Sequence, residues 1–197
     1  MPVLSSRRSL LALPVALTVA SCASPPPSLY TLAIVPGIAQ PGGARIVVLR
    51  QVSLARYLER PQIVRSSENY RLDVLSNDWW GEPLGPMIGR VLAEDLTQRL
   101  PGTTIFSESG AISPHADATV EINILRMGLD ASGALAFTAQ AAVEASGSRH
   151  PPVTRTVNTT IPAAMSPTAV EVRAISIAIG RLADAIADML RGIGAGP

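Results

Sequence analysis

The sequence predicts a single α/β (α+β) sandwich, a largely antiparallel sheet with two main helices packed on one face. Three observations carry this expectation. Apolar residues recur at helical spacing along Leu84 to Leu100 and again along a stretch ending near Leu190. Between these stretches, three runs alternate apolar and polar residues, the period of a half-buried strand. The resulting order is strands, helix, strands, helix. The chain has 197 residues and is 47% hydrophobic, enough for one domain and too apolar for a disordered chain.

The N-terminus reads as an export signal. Arg7 and Arg8 are followed by the apolar run Leu10 to Ala20. That run is too short for a membrane-spanning helix, which takes roughly 20 residues. A charged start, a short apolar core and small residues at its end describe a secretory signal over residues 1–21. Ser6-Arg7-Arg8-Ser9-Leu10 also has some likeness to a twin-arginine signal, so the export route stays open. Val19-Ala20-Ser21-Cys22 resembles a bacterial lipobox, and Cys22 is the only cysteine of the chain. In that reading the Cys22 thiol takes a diacylglycerol group, the peptide is cut before it, and the new amine is acylated. Each buried methylene contributes about 0.8 kcal/mol, so two or three chains anchor stably where one does not. Ala23 rather than Asp follows Cys22, which by resemblance to sorted lipoproteins favours the outer membrane, periplasmic face, of a double-membraned bacterium.

Residues 22–28 form a Pro-rich tether whose three consecutive prolines favour polyproline II, giving a stiff spacer of about 20 Å or less. A single domain is expected over 29–192, with a flexible tail at 193–197. Leu29 to Leu32 reads as a short strand, Pro36 to Gly43 as a loop, and Arg45 to Val52 as a buried strand. Ser53 to Glu59 reads as a bend or helical turn. Pro61 to Arg65 and Asn69 to Leu75 are extended, with a hairpin loop at Ser66-Ser67-Glu68. In the first helix Leu84, Met87, Ile88, Val91, Leu92, Leu96 and Leu100 form one stripe. Arg90, Glu94, Gln98 and Arg99 are expected off it, and Pro101-Gly102 ends the run. Thr103 to Ser107 follows as a strand. Asp117 to Met127, Ala134 to Ala145 and Val153 to Ile161 form an antiparallel meander with turns at Asp130-Ala131-Ser132-Gly133 and Gly147 to Pro152. Ser166-Pro167 offers an N-cap and a first-turn proline for a helix running to about Leu190.

Composition excludes several function classes. There are 16 Arg and no Lys, hence no Walker A motif and no Schiff-base lysine. Removal of residues 1–21 takes two of those Arg, leaving 14 against 15 acids, a net charge of −1. That balance argues against nucleic-acid binding, which needs a basic patch. One Cys and two His fall short of the usual ligands of a structural zinc site, and neither a metal nor any cofactor beyond the acyl chains on Cys22 is expected. No G-x-S-x-G motif occurs; Ser109, with His115 and Asp117, is the nearest approach to a hydrolytic set. His115 and His150 read as exposed loop residues. Glu94-Asp95 and the Asp184/Asp188 pair read as solvated helix faces. Asn158-Thr159-Thr160 matches a glycosylation sequon by chance.

Two stretches stand apart. Arg56 to Val64 sets an aromatic residue, two arginines and a proline between apolar ends, and Asp78 to Leu84 holds both tryptophans of the chain. The second either caps the core or forms a partner- or lipid-facing surface. Leu54-x-x-Tyr57-Leu58-x-Arg60-Pro61-Gln62-Ile63-Val64, then Trp80-Gly81-Glu82-Pro83-Leu84 and the helix after it, resembles the PqiC/YmbA family, the auxiliary lipoproteins of ABC-type, MCE-containing transport systems. Tyr30-Thr31-Leu32 shortly after Cys22 fits the same pattern. The likeness covers about Cys22 to Leu190. Where the family often pairs an aromatic with a basic residue near Trp80, this chain has Trp79.

The resemblance implies a non-enzymatic outer-membrane accessory subunit. Its partners would be a periplasmic MCE-domain protein with its permease and ATPase, and membrane lipid through the anchor. A homo-oligomeric ring around the MCE tunnel suits that role. It also makes Tyr57, Arg60, Trp79 and Trp80 the candidate partner-binding residues. The alternative is a lipoprotein that braces or assembles β-barrel machinery; a lipid-tethered hydrolase using Ser109 and His115 ranks third.

Overall fold

The computed structural model describes residues 25–194 except 67, 69, 109, 113 and 164–166. The signal, Cys22, Ser109, the expected N-cap Ser166 and residues 195–197 therefore lie outside the described residues. The elements in chain order are β1 (Ser28–Tyr30), β2 (Ile46–Leu49), β3 (Ser53–Leu54), a 3-10 turn (Arg56–Leu58), β4 (Gln62–Ser66), β5 (Asp73–Trp80), α1 (Leu84–Arg99), β6 (Thr104–Ser107), β7 (Ala118–Leu129), β8 (Leu135–Ala145), β9 (Val153–Ile161) and α2 (Thr168–Gly194).

The main sheet runs β6-β2-β7-β8-β9, with β3 continuing the line of β2 along β7. The expected meander is its body: β7, β8 and β9 pair antiparallel, with Val120 opposite Val143 and Ala139 opposite Val157. Alternation places Val120, Ile122 and Ile124 of β7 and Phe137, Ala139 and Ala141 of β8 in the core. Asp130 closes the β7–β8 turn, where its Oδ1 accepts from the Ser132 and Ala134 backbone N–H groups, and Gly133 takes the left-handed φ of 81°. Parallel pairs lie beside this body, at β2–β6, β2–β7 and β3–β7. A parallel pair needs a long crossover, and α1 supplies the one that returns the chain to β6 beside β2. A second, three-stranded sheet has the order β1-β5-β4.

Both helices pack on the sheet and on each other, as expected. α2 departs from expectation at its end: it runs past Leu190 to Gly194. Ile193, assigned to a tail by sequence, packs against the core and prolongs the helix.

Residues 31–40 form a strap across the helices. The Leu32 N–H donates to the Met87 sulfur (3.3 Å), Ala33 N–H to Ser176 Oγ (3.1 Å), Val35 N–H to Asp95 Oδ1 (2.9 Å) and Gln40 N–H to the Arg99 carbonyl (2.8 Å). Asp95 and Arg99, expected on a solvated face and off the apolar stripe, are buried at 0% and 2% exposure. The helix itself accounts for the correction. At about 100° per residue they fall roughly 20° and 60° from Leu84, in the middle of the apolar arc.

Arg99 joins three segments. Its Nε donates to Asp184 Oδ1 (2.6 Å), Nη1 to the carbonyls of Val35 and Asp95 (both 3.0 Å), and Nη2 to the Gly180 carbonyl (3.1 Å). Asp184 stays solvent-exposed while making this pair. Burial raises the Asp95 pKa, against the lowering effect of the Val35 N–H and of Arg99. The strap lies close: a Cβ on Gly180 would stand 2.9 Å from Val35 Cβ, and one on Gly37 would overlap the Arg99 guanidinium.

An ion pair between half-buried Arg65 and buried Glu171 fastens the small sheet to α2. Arg65 of β4 donates from Nε to Glu171 Oε2 (3.4 Å) and from Nη2 to Thr168 Oγ1 (3.5 Å), and Thr168 Oγ1 donates to Asp78 Oδ2 of β5 (2.7 Å). Glu171 is fully buried. Burial pushes its pKa from 4.5 to about 7; Arg65 opposes this, and Asp73 and Asp78 add to it.

Two predictions follow from these cores. Arg99→Ala leaves Asp95 buried without its cation, so urea unfolding should show a loss of about 3 kcal/mol or more. Glu171 binds its proton more tightly folded than unfolded. Its contribution to stability is therefore complete below pH 4.5 and is lost as pH rises through 7, by up to about 3 kcal/mol. Glu171→Gln should remove that pH slope, stabilising the protein at pH 8 and changing little at pH 4.5, as read by chemical denaturation across pH.

Candidate functional site

The two stretches that stand apart in the sequence become neighbouring strands. In the β4–β5 pair Trp79 lies opposite Gln62, and the Trp80 N–H donates to the Pro61 carbonyl (2.7 Å). On the other side β1 pairs in parallel, Tyr30 beside Trp80, and the Gly81 N–H donates to the Tyr30 carbonyl (2.8 Å). The sequence predicts an extended segment that ends near Leu75, with both tryptophans beyond it just before a helix. They instead close the strand, because β1 and β4 pair with β5 on either side there.

A strand sends consecutive side chains to opposite faces. Trp80 points inward and is 6% exposed, while Trp79 is half-buried on the other face, its Nε1–H donating to the Ser76 carbonyl (3.1 Å). The choice between capping the core and forming a surface thus divides between the two residues.

Beside Trp80 lies a groove of about 500 Å3. Val52, Leu54, Pro61, Trp80 and Leu84 supply apolar walls, and Glu59 and Arg60 stand at its edge. Its depth depends on Gly85: a Cβ there would lie 3.2 Å from the Val52 carbonyl oxygen, so the first turn of α1 sits directly against the chain between β2 and β3. Glu82, also on the groove, is held by Arg90 of α1 (2.6 Å). Arg60 is exposed, and no ion pair of its own is seen among the described residues. Of the four candidate residues, the groove takes Arg60 and Trp80. Tyr57 lies in the 3-10 turn, half-buried against the core, and Trp79 lies on the outer side of the small sheet. Val52 and Leu54 also line the groove; Leu54 heads the family-like run, but neither is a candidate binding residue by sequence, because the two-residue β3 has no readable alternation.

A second concavity, of about 740 Å3, lies over the main sheet and mixes polar residues such as Arg50, Glu121, Asn123 and Gln140 with Ile122, Ala141 and Ala142. Arg50 there pairs with Glu108 (2.5 Å), whose carboxyl the Gln51 N–H and Arg50 hold below its usual pKa.

Among the described residues the remaining candidates take other places. His115 and His150 are exposed. Asp117 Oδ2 accepts from the Arg45 and Ile46 N–H groups (3.2 and 2.9 Å), which ties it to the start of β2. Asp188 pairs with Arg191. Asn158 accepts from Thr138 Oγ1 across the sheet (3.0 Å). Among the described residues no group of three or more His, Cys, Asp or Glu is placed to hold a metal ion, and no helix is long and apolar enough to cross a membrane.

The fold has solved counterparts. A crystal structure of an uncharacterized protein superposes with a TM-score of 0.69 at 16% identity, covering 83% of this chain and 98% of that one. A protein from Xanthomonas campestris assigned to the DUF330 family superposes with a TM-score of 0.66 at 18% identity, covering 84% and 97%. At these identities the likeness is one of fold. None of the curated proteins matches the sequence. The sequence model described as ABC-type transport auxiliary lipoprotein component matches residues 30–187, from the β1–β5 pair to the last turns of α2. The chain therefore belongs to the family of ABC-type transport auxiliary lipoprotein components.

Proposed function

We propose that this protein is a non-enzymatic accessory subunit, held on the periplasmic face of the outer membrane by acyl chains on Cys22, that docks the MCE-domain protein of an ABC-type lipid transporter. The observation that carries this reading is the convergence of Arg56–Val64 and Asp78–Leu84 on one groove floored by Trp80 and edged by Arg60. An apolar floor with a charged edge is the anatomy of a protein-docking site. Family membership supports the link to an ABC transporter. The chain has no Lys and so no Walker A motif, which leaves ATP hydrolysis to another subunit. A ring of copies around the MCE tunnel suits this role.

The test is affinity purification of the tagged, full-length protein from detergent-solubilised envelopes, with mass spectrometry of the proteins recovered. An MCE protein and its permease are expected. A β-barrel assembly partner without any MCE protein would overturn the reading in favour of a bracing role. Arg60→Glu should lower MCE recovery by about tenfold or more if Arg60 is an interface anchor, since such a residue contributes roughly 2 kcal/mol. As an exposed residue it should leave stability within about 0.5 kcal/mol.

A further inference from the structure

The outer side of the small sheet has an unusual pair of neighbours. Leu29 is 66% exposed on the edge strand β1, and its register partner Trp79 is half-buried on the same face of β5. The Trp79 indole donor is already bonded within the chain, to the Ser76 carbonyl. The ring can therefore leave water without stranding a polar group. The turn leading into β5 exposes Tyr70 and Leu72 as well.

The N-terminal chain limits what this face can meet. Pro26 lies along β5, its carbonyl accepting from Asn77 Nδ2 (3.4 Å). Pro25 is three chain steps from Cys22, a reach of at most about 11 Å, and Leu29 is seven steps from it, at most about 25 Å. Pro25, Pro26 and Pro27 stiffen this link and narrow the range of orientations it permits. β1 is thus the element tied most directly to the lipid attachment point, and the face bearing Leu29 and Trp79 belongs to it. Tryptophan next to aliphatic surface is the composition that settles at the boundary between headgroups and acyl chains.

We infer that the Leu29–Trp79 face of the β1–β5 pair rests on the phospholipid surface that holds the anchor, as a second membrane contact that orients the domain and leaves the Trp80 groove free for its partner. The inference rests on the lipidation of Cys22 proposed above.

The two tryptophans make the test specific. Full-length, lipidated protein is reconstituted in vesicles of brominated phosphatidylcholine, whose bromines quench nearby indoles. Trp80→Phe leaves Trp79 as the reporter, and Trp79→Phe leaves the inward Trp80 as the reference. Trp79 emission should fall about twofold or more relative to unbrominated vesicles, with little change for Trp80, as expected of an indole at the interface. Leu29→Asp should weaken the quenching. Should Trp80→Phe not fold, the Trp79 signal is read as the difference between the unsubstituted protein and Trp79→Phe, which leaves the core intact. Intact mass of the same sample reports the acyl chains on Cys22. Trp79 emission that falls no more than that of Trp80 in lipidated protein overturns the membrane contact alone. A mass without acyl chains overturns the anchor, and this inference with it.

Discussion

The guanidinium of Arg99 is the contact around which the helical layer is organised. It rises from the last turn of α1, reaches a carbonyl and a carboxylate of α2, and takes the Val35 carbonyl of the strap that crosses both helices. A buried cation is costly unless its donors find acceptors, and the planar fork of Arg99 makes four hydrogen bonds to three chain segments at once. Replacing it by an apolar residue would leave the strap held by isolated hydrogen bonds and the helices by packing alone. The absent side chains at Gly37 and Gly180 belong to the same arrangement, since they admit the guanidinium and the strap to within contact distance.

This arrangement carries through to the groove. α1 begins at Leu84, directly after the segment that bears Trp80, and its first turn abuts the chain at Val52 through Gly85. Fixing α1 at its far end through Arg99 and at its near end through Gly85 sets the spacing between the groove walls. The small sheet is fixed separately, by Arg65, Glu171, Thr168 and Asp78. Two polar clusters, one around Arg99 and one around Glu171, thus hold the elements that surround a largely apolar groove. Hydrogen bonds with defined directions specify a relative placement of elements that packing between smooth apolar faces does not.

Much of the secondary structure was legible because each long element has one dry face and one wet face. The β7–β9 meander and the α1 stripe show this in their alternation and in their helical period. Legibility failed where a polar residue sits on the dry face. Asp95 and Arg99 fall inside the apolar arc of α1, yet their chemistry reads as solvent-facing until the partners that satisfy them are known. It failed likewise for Trp79 and Trp80. Adjacent aromatics carry the same local signal, and only the pairing of β5 with β1 and β4 decides which one turns inward.

Local sequence alone is enough to give the α+β class, the order of the main elements, the meander and the two segments that meet at the groove. These follow from periodicities of two and 3.6 residues and from the spacing of a few large side chains, all local properties. The tertiary structure decided which strands pair in parallel, that residues 31–40 bind across the helices, that Asp95, Arg99 and Glu171 are buried, and that Arg60 and Trp80 share a groove while Tyr57 and Trp79 do not. Each of these depends on contacts between residues tens of positions apart, as between Val35 and Arg99 or Arg65 and Glu171. No local pattern encodes such contacts, because their energy exists only once both partners have been brought out of water together.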